Sequence, residues 1–215
     1  MATPVNLDPQ APDYWQQACE ALAQRHGVWA NLIERHADRA LRSRGAPYET
    51  LLRSLIGQQI SVKAADAVWG RVLAAMGGSA DSQRLLALPE DTLRAAGLSR
   101  SKVAYARALS EFHQAGQLDL AVLEALTDDE CSRHLCTVKG IGPWTAQMFL
   151  MFGLRRPDVW PVDDLGIQKG LSRQFFKGEP ITPKEALQFG EKLRPWRTVA
   201  AWYLWRSLDP AVVDY

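Results

Sequence analysis

The chain has 215 residues, of which 47% are hydrophobic and 23% are charged, and its formal net charge at pH 7 is +1. This length and composition allow one large domain or two small lobes with a substantial core, whereas the net charge excludes a protein that attracts nucleic acid by overall basicity alone. Three unclustered cysteines exclude a disulfide framework and are typical of a reducing compartment.

The N-terminal segment, residues 1–13, is rich in proline and has no apolar core. It is therefore predicted to be neither a signal peptide nor a transit helix. No apolar run in the sequence approaches the length that spans a membrane. We expect a cytoplasmic, intracellular protein that has no membrane partner.

The first half of the chain shows helical periodicity and no alternating strand pattern. Asp13 is predicted to cap a helix that runs to about His26. Apolar residues at 51, 52, 55 and 56 indicate a second helix, and Ser61 is predicted to cap a third that ends at Gly77-Gly78. Further helices are predicted over residues 89–96, 102–114 and 118–126.

The second half is also predicted to be helical. Thr127 and Glu130 have the spacing of a capping box that opens a helix toward Leu135. Thr182 and Glu185 repeat that spacing at the start of a helix over 183–193. Other helices are predicted over 144–152, 165–176 and 196–208, so the sequence predicts an all-α fold.

Between two of these helices lies the segment Gly140-Ile141-Gly142-Pro143. Two glycines let the backbone turn tightly and approach a ligand closely, and Pro143 suits the first position of a helix. Because the N-terminus of a helix presents free N–H groups and a partial positive charge, this hairpin is predicted to bind a phosphate. The alternative is a structural corner, in which glycine serves only to reverse the chain.

Four ordered segments carry a resemblance to a known family: residues 55–61, the hairpin at 138–146, Pro161 to Asp164, and residues 194–197 with Trp205. Over about 45–208 they resemble the helix–hairpin–helix superfamily of DNA glycosylases, and within it the 3-methyladenine DNA glycosylase II branch. The resemblance implies an all-α fold of two helical lobes with a DNA-binding cleft and no β-domain. It places the hairpin motif at about 128–152 and a catalytic segment at about 160–176, within a single domain of residues 1–215.

The resemblance also implies an activity, the excision of alkylated purines of the 3-methyladenine and 7-methylguanine type from double-stranded DNA in base excision repair. Trp144 stands where related bifunctional enzymes have a Schiff-base lysine, and the four clustered cysteines of an iron–sulfur cluster are absent from the sequence. We therefore expect a monomeric, monofunctional glycosylase that requires no cofactor. A bifunctional or mismatch-directed glycosylase and a non-catalytic DNA-binding module remain alternatives.

Residue-by-residue matching identifies Asp164 as the catalytic acid, with Asp163 expected to cap the helix near Leu165. The alternative is that both acids only cap that helix. The residues expected to line the substrate pocket are Trp144, Met148, Leu165 and Trp205, although core packing is an alternative role for the tryptophans.

Seven residues are expected to contact DNA: Lys139, Gly140, Ile141, Gly142 and Thr145 at the hairpin, and Gln59 and Ile60 at the turn that would fill the gap left by a flipped base. A polar inter-helix turn is the alternative for Gln59. In this superfamily the hairpin also holds a monovalent cation, which matching assigns to the backbone carbonyls of Cys136, Val138 and Ile141. Further basic residues that could meet phosphates are Arg100, Lys102, Arg155, Arg156, Lys169, Arg173, Arg194 and Arg197.

Overall fold

A computed structural model describes residues 11–42 and 45–208, and in these ranges the chain forms helices and no strand, which confirms the predicted all-α class. Most of the predicted N-terminal segment, residues 1–10, lies outside the described residues. The helices, in chain order, are α1 Trp15–Arg25, α2 Gly27–Arg35, α3 Pro47–Gly57, α4 Val62–Ala75, α5 Ser82–Ala87, α6 Glu90–Ala95, α7 Arg100–Gln114, α8 Leu120–Glu124, α9 Asp128–Leu135, α10 Pro143–Phe152, α11 Leu165–Phe175, α12 Pro183–Glu191 and α13 Arg197–Leu208.

The helices divide into two compact units. The terminal unit comprises the described residues of 11–42 and 155–208, and the central unit comprises residues 45–154. The description of one domain over 1–215 stays a prediction. Within the described residues, no helix is both long and apolar enough to cross a membrane.

The central unit is built around α3, which packs against α4, α7 and α10. The apolar positions that predicted α3 are all buried in this core: Leu51, Leu52, Leu55 and Ile56. In the same unit α9 packs on α10, so the two helices that flank the glycine hairpin are held against each other and against the core.

The terminal unit packs α1 against α2 and α13 against α11. Its core is aromatic, since Trp15 meets Trp202 edge-on with ring centroids 5.3 Å apart and Trp29 lies 5.0 Å from Phe175. These tryptophans are buried, as expected for core packing, and burial of such large side chains is a main source of stability in a domain.

The cap predictions were mostly confirmed. Ser61 accepts a hydrogen bond from the amide of Ala64, and both predicted capping boxes are present. Asp13 was wrong, because α1 has Tyr14 as its N-cap and no side-chain cap there.

Two helices were not predicted. A single residue, His26, separates α1 from α2, because its backbone is extended and its Nδ1 accepts from the amide of Val28. Histidine is outside the usual set of capping residues, so His26 was interpreted as the end of one helix and not as the cap of the next. Helix α5 follows a conventional cap, in which Asp81 accepts from the amide of Arg84, and that signal could have found it.

Candidate functional site

The glycine hairpin joins α9 to α10 in the central unit. Its two apolar residues, Val138 and Ile141, are buried, and the amide of Ile141 donates to the carbonyl of Val138 over 3.0 Å. Lys139 is exposed between them. The apolar pair therefore anchors the turn to the core and leaves the polar backbone at its tip.

The two glycines of the hairpin differ in backbone conformation and in the space around them. Gly140 has φ +95°, and a Cβ there would lie 2.4 Å from Cγ of Tyr105, so only glycine fits. Gly142 has φ −100° and ψ 176°, an extended conformation that any residue adopts. A Cβ on Gly142 would meet nothing within 4 Å. The fold therefore demands glycine at 140 and does not demand it at 142.

Gly142 is also the N-cap of α10, and Pro143 occupies the first turn as predicted. Glycine has no side-chain oxygen to accept from the first-turn N–H groups of the helix. Thr145, in that first turn, is buried, and its hydroxyl oxygen accepts from Nε2 of Gln58 over 3.2 Å. The start of α10 is thus capped by no side chain of its N-cap residue.

The turn between α3 and α4 presents Gln59 and Ile60 to solvent. Ile60 is 40% exposed, which is unusual for isoleucine, and Gln59 has a left-handed backbone with φ 60°. The preceding residue, Gln58, ties this turn to the hairpin, since its Nε2 also donates to the carbonyl of Gly140 over 3.1 Å. The structure thus brings together the turn and the hairpin, and Gln58 is a linking residue that the sequence prediction missed.

In the terminal unit, Asp164 is the N-cap of α11. Its Oδ1 accepts from the amide of Ile167 and from Nε1 of Trp205, both over 2.9 Å. Asp163 is exposed and is not the cap. The prediction that Asp163 would cap the helix was therefore wrong, because α11 begins at Leu165 as predicted and the residue directly before it, Asp164, occupies the N-cap position.

Trp205 reaches Asp164 because two glycines on α11 let α13 approach. A Cβ on Gly166 would lie 2.7 Å from Cδ1 of Trp205 and 2.8 Å from Oδ1 of Asp164, and a Cβ on Gly170 would lie 2.9 Å from Cβ of Leu204. Residues four apart share a helix face, so Gly166 and Gly170 form one smooth strip. This spacing was visible in the sequence and could have predicted a close approach by another helix, but not that α13 and Trp205 make it.

The four expected pocket residues divide between the two units. Leu165 is 66% exposed beside Asp164, and Trp205 is 9% exposed. Trp144 and Met148 lie on one face of α10, the first 37% exposed and the second buried. Trp205 donates a hydrogen bond to Asp164. The contact of all four residues with a substrate stays a prediction.

Three of the basic residues expected to meet phosphates are engaged within the protein. Arg194 and Arg197 form ion pairs with Asp158 and Glu191. Lys102 donates to the carbonyls of Ile56 and Gln58, and burial lowers its pKa. Arg100, Arg155, Lys169 and Arg173 are exposed. The contact of these four residues with phosphates stays a prediction, and the sequence did not reveal which of the basic residues are already paired.

The expected cation site consists of backbone carbonyls at Cys136, Val138 and Ile141. The carbonyl of Val138 already accepts one hydrogen bond, from Ile141, and a carbonyl oxygen has a second lone pair that could face a cation. Among the described residues, no cluster of three or more His, Cys, Asp or Glu side chains could hold a metal ion.

The chain matches known proteins in sequence and in structure. Residues 52–195 match the family described as "HhH-GPD superfamily base excision DNA repair protein". DNA-3-methyladenine glycosylase 1 of Schizosaccharomyces pombe is 34% identical over 164 residues, which are 75% of this chain and 72% of the relative. Relatives from Bacillus subtilis and Saccharomyces cerevisiae are longer, and the match spans 64% and 58% of their lengths.

Two solved structures are similar over most of the chain. The crystal structure of a DNA-3-methyladenine glycosidase from Bacillus halodurans superposes with a TM-score of 0.80 at 34% identity, covering 88% of each chain. A Schizosaccharomyces pombe 3-methyladenine DNA glycosylase in complex with abasic DNA superposes with a TM-score of 0.79 at 30% identity, covering 93% of this chain and 98% of the other.

Proposed function

The chain belongs to the HhH-GPD superfamily of base excision DNA repair proteins, and we propose that it is a monofunctional DNA glycosylase that hydrolyses the N-glycosidic bond of alkylated purines. The names of the relatives support 3-methyladenine as a substrate. The observation that carries the chemistry is Asp164, whose Oδ1 is held by two donors from two different helices, the amide of Ile167 and the indole of Trp205.

Departure of the base leaves positive charge on the deoxyribose. A carboxylate held in a fixed position stabilises that charge without reorganising, and it can orient or deprotonate the attacking water. The two hydrogen bonds to Oδ1 of Asp164 supply that fixed position. Alkylated purines such as 3-methyladenine and 7-methylguanine are cationic while attached to the sugar and leave as neutral bases, so no strong general acid is needed to protonate the base.

The base must leave the duplex before the bond is broken, which costs a few kcal/mol and favours damaged or weakly paired bases. We assign the phosphate grip to the hairpin at Lys139 to Thr145, and the plug that fills the stack to Gln59 and Ile60, which are exposed. Trp144, Met148, Leu165 and Trp205 are proposed to contact the flipped base. The aromatic rings among them suit a cationic purine through stacking and cation–π attraction.

A monovalent cation at the carbonyls of Cys136, Val138 and Ile141 belongs to the same proposal. It would add positive charge beside the hairpin and so favour a phosphate there. No step of the hydrolysis is assigned to it. We propose that the protein acts as a monomer on double-stranded DNA.

The test is incubation with DNA that has been treated with a methylating agent, followed by chromatography of the released bases. We expect free 3-methyladenine and 7-methylguanine, an intact abasic strand, and no enzyme–DNA adduct when borohydride is added, because Trp144 replaces the amine needed for a Schiff base. Binding without release would identify a non-catalytic DNA-binding module. A trapped adduct with strand cleavage would identify a bifunctional enzyme.

A further inference from the structure

The turn between α3 and α4 holds an uncommon conformation. Gln59 has φ 60°, a left-handed backbone conformation that only a few per cent of residues other than glycine adopt. Within the turn, the amide of Ile60 reaches the carbonyl of Gly57 over 3.4 Å, a long hydrogen bond. A strained conformation of this kind persists where the surrounding structure determines it, so its support must come from outside the turn.

One support comes from α7. Lys102 extends its Nζ to the carbonyl of Ile56 over 2.7 Å and to the carbonyl of Gln58 over 2.8 Å. Ile56 is the penultimate residue of α3 and Gln58 is its C-cap, and at this end of a helix the unsatisfied oxygens and the negative end of the dipole favour a cation. The ammonium group therefore fixes the backbone on the N-terminal side of Gln59.

A second support comes from the hairpin. The side chain of Gln58 donates through Nε2 to the carbonyl of Gly140 over 3.1 Å and to Oγ1 of Thr145 over 3.2 Å. Gly140 lies in the hairpin and Thr145 in the first turn of α10. One side-chain amide thus connects the turn that carries Gln59 to the turn that leads into the predicted phosphate grip.

We propose that Lys102 and Gln58 form a positioning clasp, which fixes Gln59 and Ile60 for insertion into the DNA stack and couples that insertion to phosphate binding at the hairpin. This inference rests on the proposed function, because it assumes that the turn enters DNA. Neither clasp residue touches the reacting atoms. Their contribution is to keep the plug in one conformation before DNA arrives, so that less conformational freedom is lost on binding.

If Lys102 had only an ordinary structural role, a different result would be expected. Arg107 provides the control. Arg107, also on α7, donates through Nη1 to the carbonyl of Leu86 over 3.2 Å and through Nη2 to the carbonyl of Leu88 over 2.6 Å. Leu88 is the C-cap of α5. Arg107 therefore makes the same kind of contact as Lys102, from the same helix to the end of another helix, but away from the plug turn.

The experiment compares Lys102→Met and Gln58→Met with Arg107→Met, and uses Lys102→Arg for rescue. Each folded variant binds a duplex with a stable abasic-site analogue opposite 2-aminopurine, whose fluorescence reports stacking at the site. We expect both clasp variants to reduce the fluorescence change at saturating protein. We also expect them to slow excision of a correctly paired lesion by about tenfold, which corresponds to about 1.4 kcal/mol in the activation free energy.

Excision of a lesion opposite a mismatched base should suffer less, because that base is already weakly paired. Lys102→Arg should restore most of the signal. Arg107→Met should leave the fluorescence change and the ratio between paired and mispaired lesions at wild-type values, even where its melting temperature falls as far as that of Lys102→Met. Equal effects of Lys102→Met and Arg107→Met on both readouts overturn the clasp, as do wild-type values in Gln58→Met, which keeps Lys102 in place.

The fluorescence assay involves no bond cleavage, so it separates this inference from the proposed activity. Wild-type protein that releases no methylated base, yet shows the clasp-dependent fluorescence change, removes the glycosylase assignment and leaves the clasp. Wild-type protein that excises methylated bases with no contribution from Lys102 or Gln58 removes the clasp and leaves the glycosylase. A wild-type protein that leaves the 2-aminopurine signal unchanged also overturns the clasp.

Discussion

Helices α10 and α11 begin in opposite ways. The N-cap of α10 is Gly142, which has no side chain to offer to the first-turn amides, and a Cβ placed there would meet open space. The N-cap of α11 is Asp164, whose carboxylate accepts from its own helix and from Trp205. Both helix starts favour negative charge for the same electrostatic reason.

The difference shows how one physical property serves two purposes. At α11 the protein provides the anion itself, and the helix start and an indole hold it in place. At α10 the N-cap residue is a glycine and provides no anion, which suits a helix start that receives a phosphate from a ligand. We therefore expect substitutions at Asp164 to impair the reaction, and substitutions at Gly142 to impair DNA binding.

The largest effect is expected from Asp164→Asn. Asparagine caps a helix about as well as aspartate, and its oxygen can accept from Ile167 and Trp205, so stability should remain near that of the wild type. Loss of the negative charge should slow excision by about 10²- to 10³-fold, as when a preorganised electrostatic group is removed from an active site. Single-turnover release of 3-methyladenine from methylated DNA measures the loss, with binding to an abasic duplex measured in parallel.

Asp163→Asn is the matched control, because Asp163 is exposed and caps nothing. It should keep the wild-type rate. Excision at near wild-type rate in Asp164→Asn, or a loss confined to Asp163→Asn, would overturn the assignment of the catalytic acid.

A smaller effect is expected when the start of α10 is made to resemble that of α11. Gly142→Asp should preserve the fold, because the backbone is extended and the space is open, and an aspartate cap is a few tenths of a kcal/mol better than glycine. The new carboxylate would occupy the first-turn amides and repel phosphate. We expect affinity for damaged and undamaged duplexes to fall about 10- to 100-fold and the salt dependence to flatten, as fewer counterions are released.

Two further substitutions give this prediction its controls. Gly142→Ser adds a neutral cap and should weaken DNA binding less than Gly142→Asp does. Gly140→Ala should instead lower the melting temperature, because its φ is +95° and its Cβ would collide with Tyr105, a strain of about 1–3 kcal/mol. If Gly142→Asp binds DNA as tightly as the wild type and with the same salt slope, the hairpin is a structural corner only.

Sequence predicted the features that depend on local chemistry. The capping box at Thr127 and the proline at the start of α10 are examples, because each is satisfied within one helical turn. The two adjacent acids were a harder case, since either could cap α11. Asp164 is marked by a hydrogen bond from Trp205, which follows it by 41 positions in the chain, and no local rule contains that information.

The same limit explains why the sequence did not show which basic residues are paired within the protein. Arg194 and Arg197 have the cationic side chains expected of phosphate ligands. Asp158, which lies far away in the sequence, nevertheless pairs with both of them. Lys102 is likewise committed to backbone carbonyls at the end of α3. Whether a charge faces solvent or a partner depends on tertiary structure. The sequence therefore identifies the basic residues, and the fold determines which of them remain exposed.

The smallest effect is expected from Trp205→Phe, which tests how the anion at α11 is held. Phenylalanine keeps an aromatic face but has no N–H to donate to Oδ1 of Asp164, while the amide of Ile167 remains as a donor. Loss of one hydrogen bond of about 1 kcal/mol should slow excision by about three- to tenfold. Since the carboxylate serves every substrate, the loss should be equal for 3-methyladenine and 7-methylguanine.

Trp205→Ala removes the ring as well as the donor, and so separates the two roles proposed for this residue. If the indole both orients Asp164 and contacts the base, the alanine variant should lose discrimination between methylated and unmethylated purines, which the phenylalanine variant retains. Excision rates on methylated and unmethylated duplexes, measured for both variants, give the ratio. An unchanged ratio in Trp205→Ala would overturn the contact of Trp205 with the base, and a wild-type rate in Trp205→Phe would mean that the indole N–H is not needed to hold the acid.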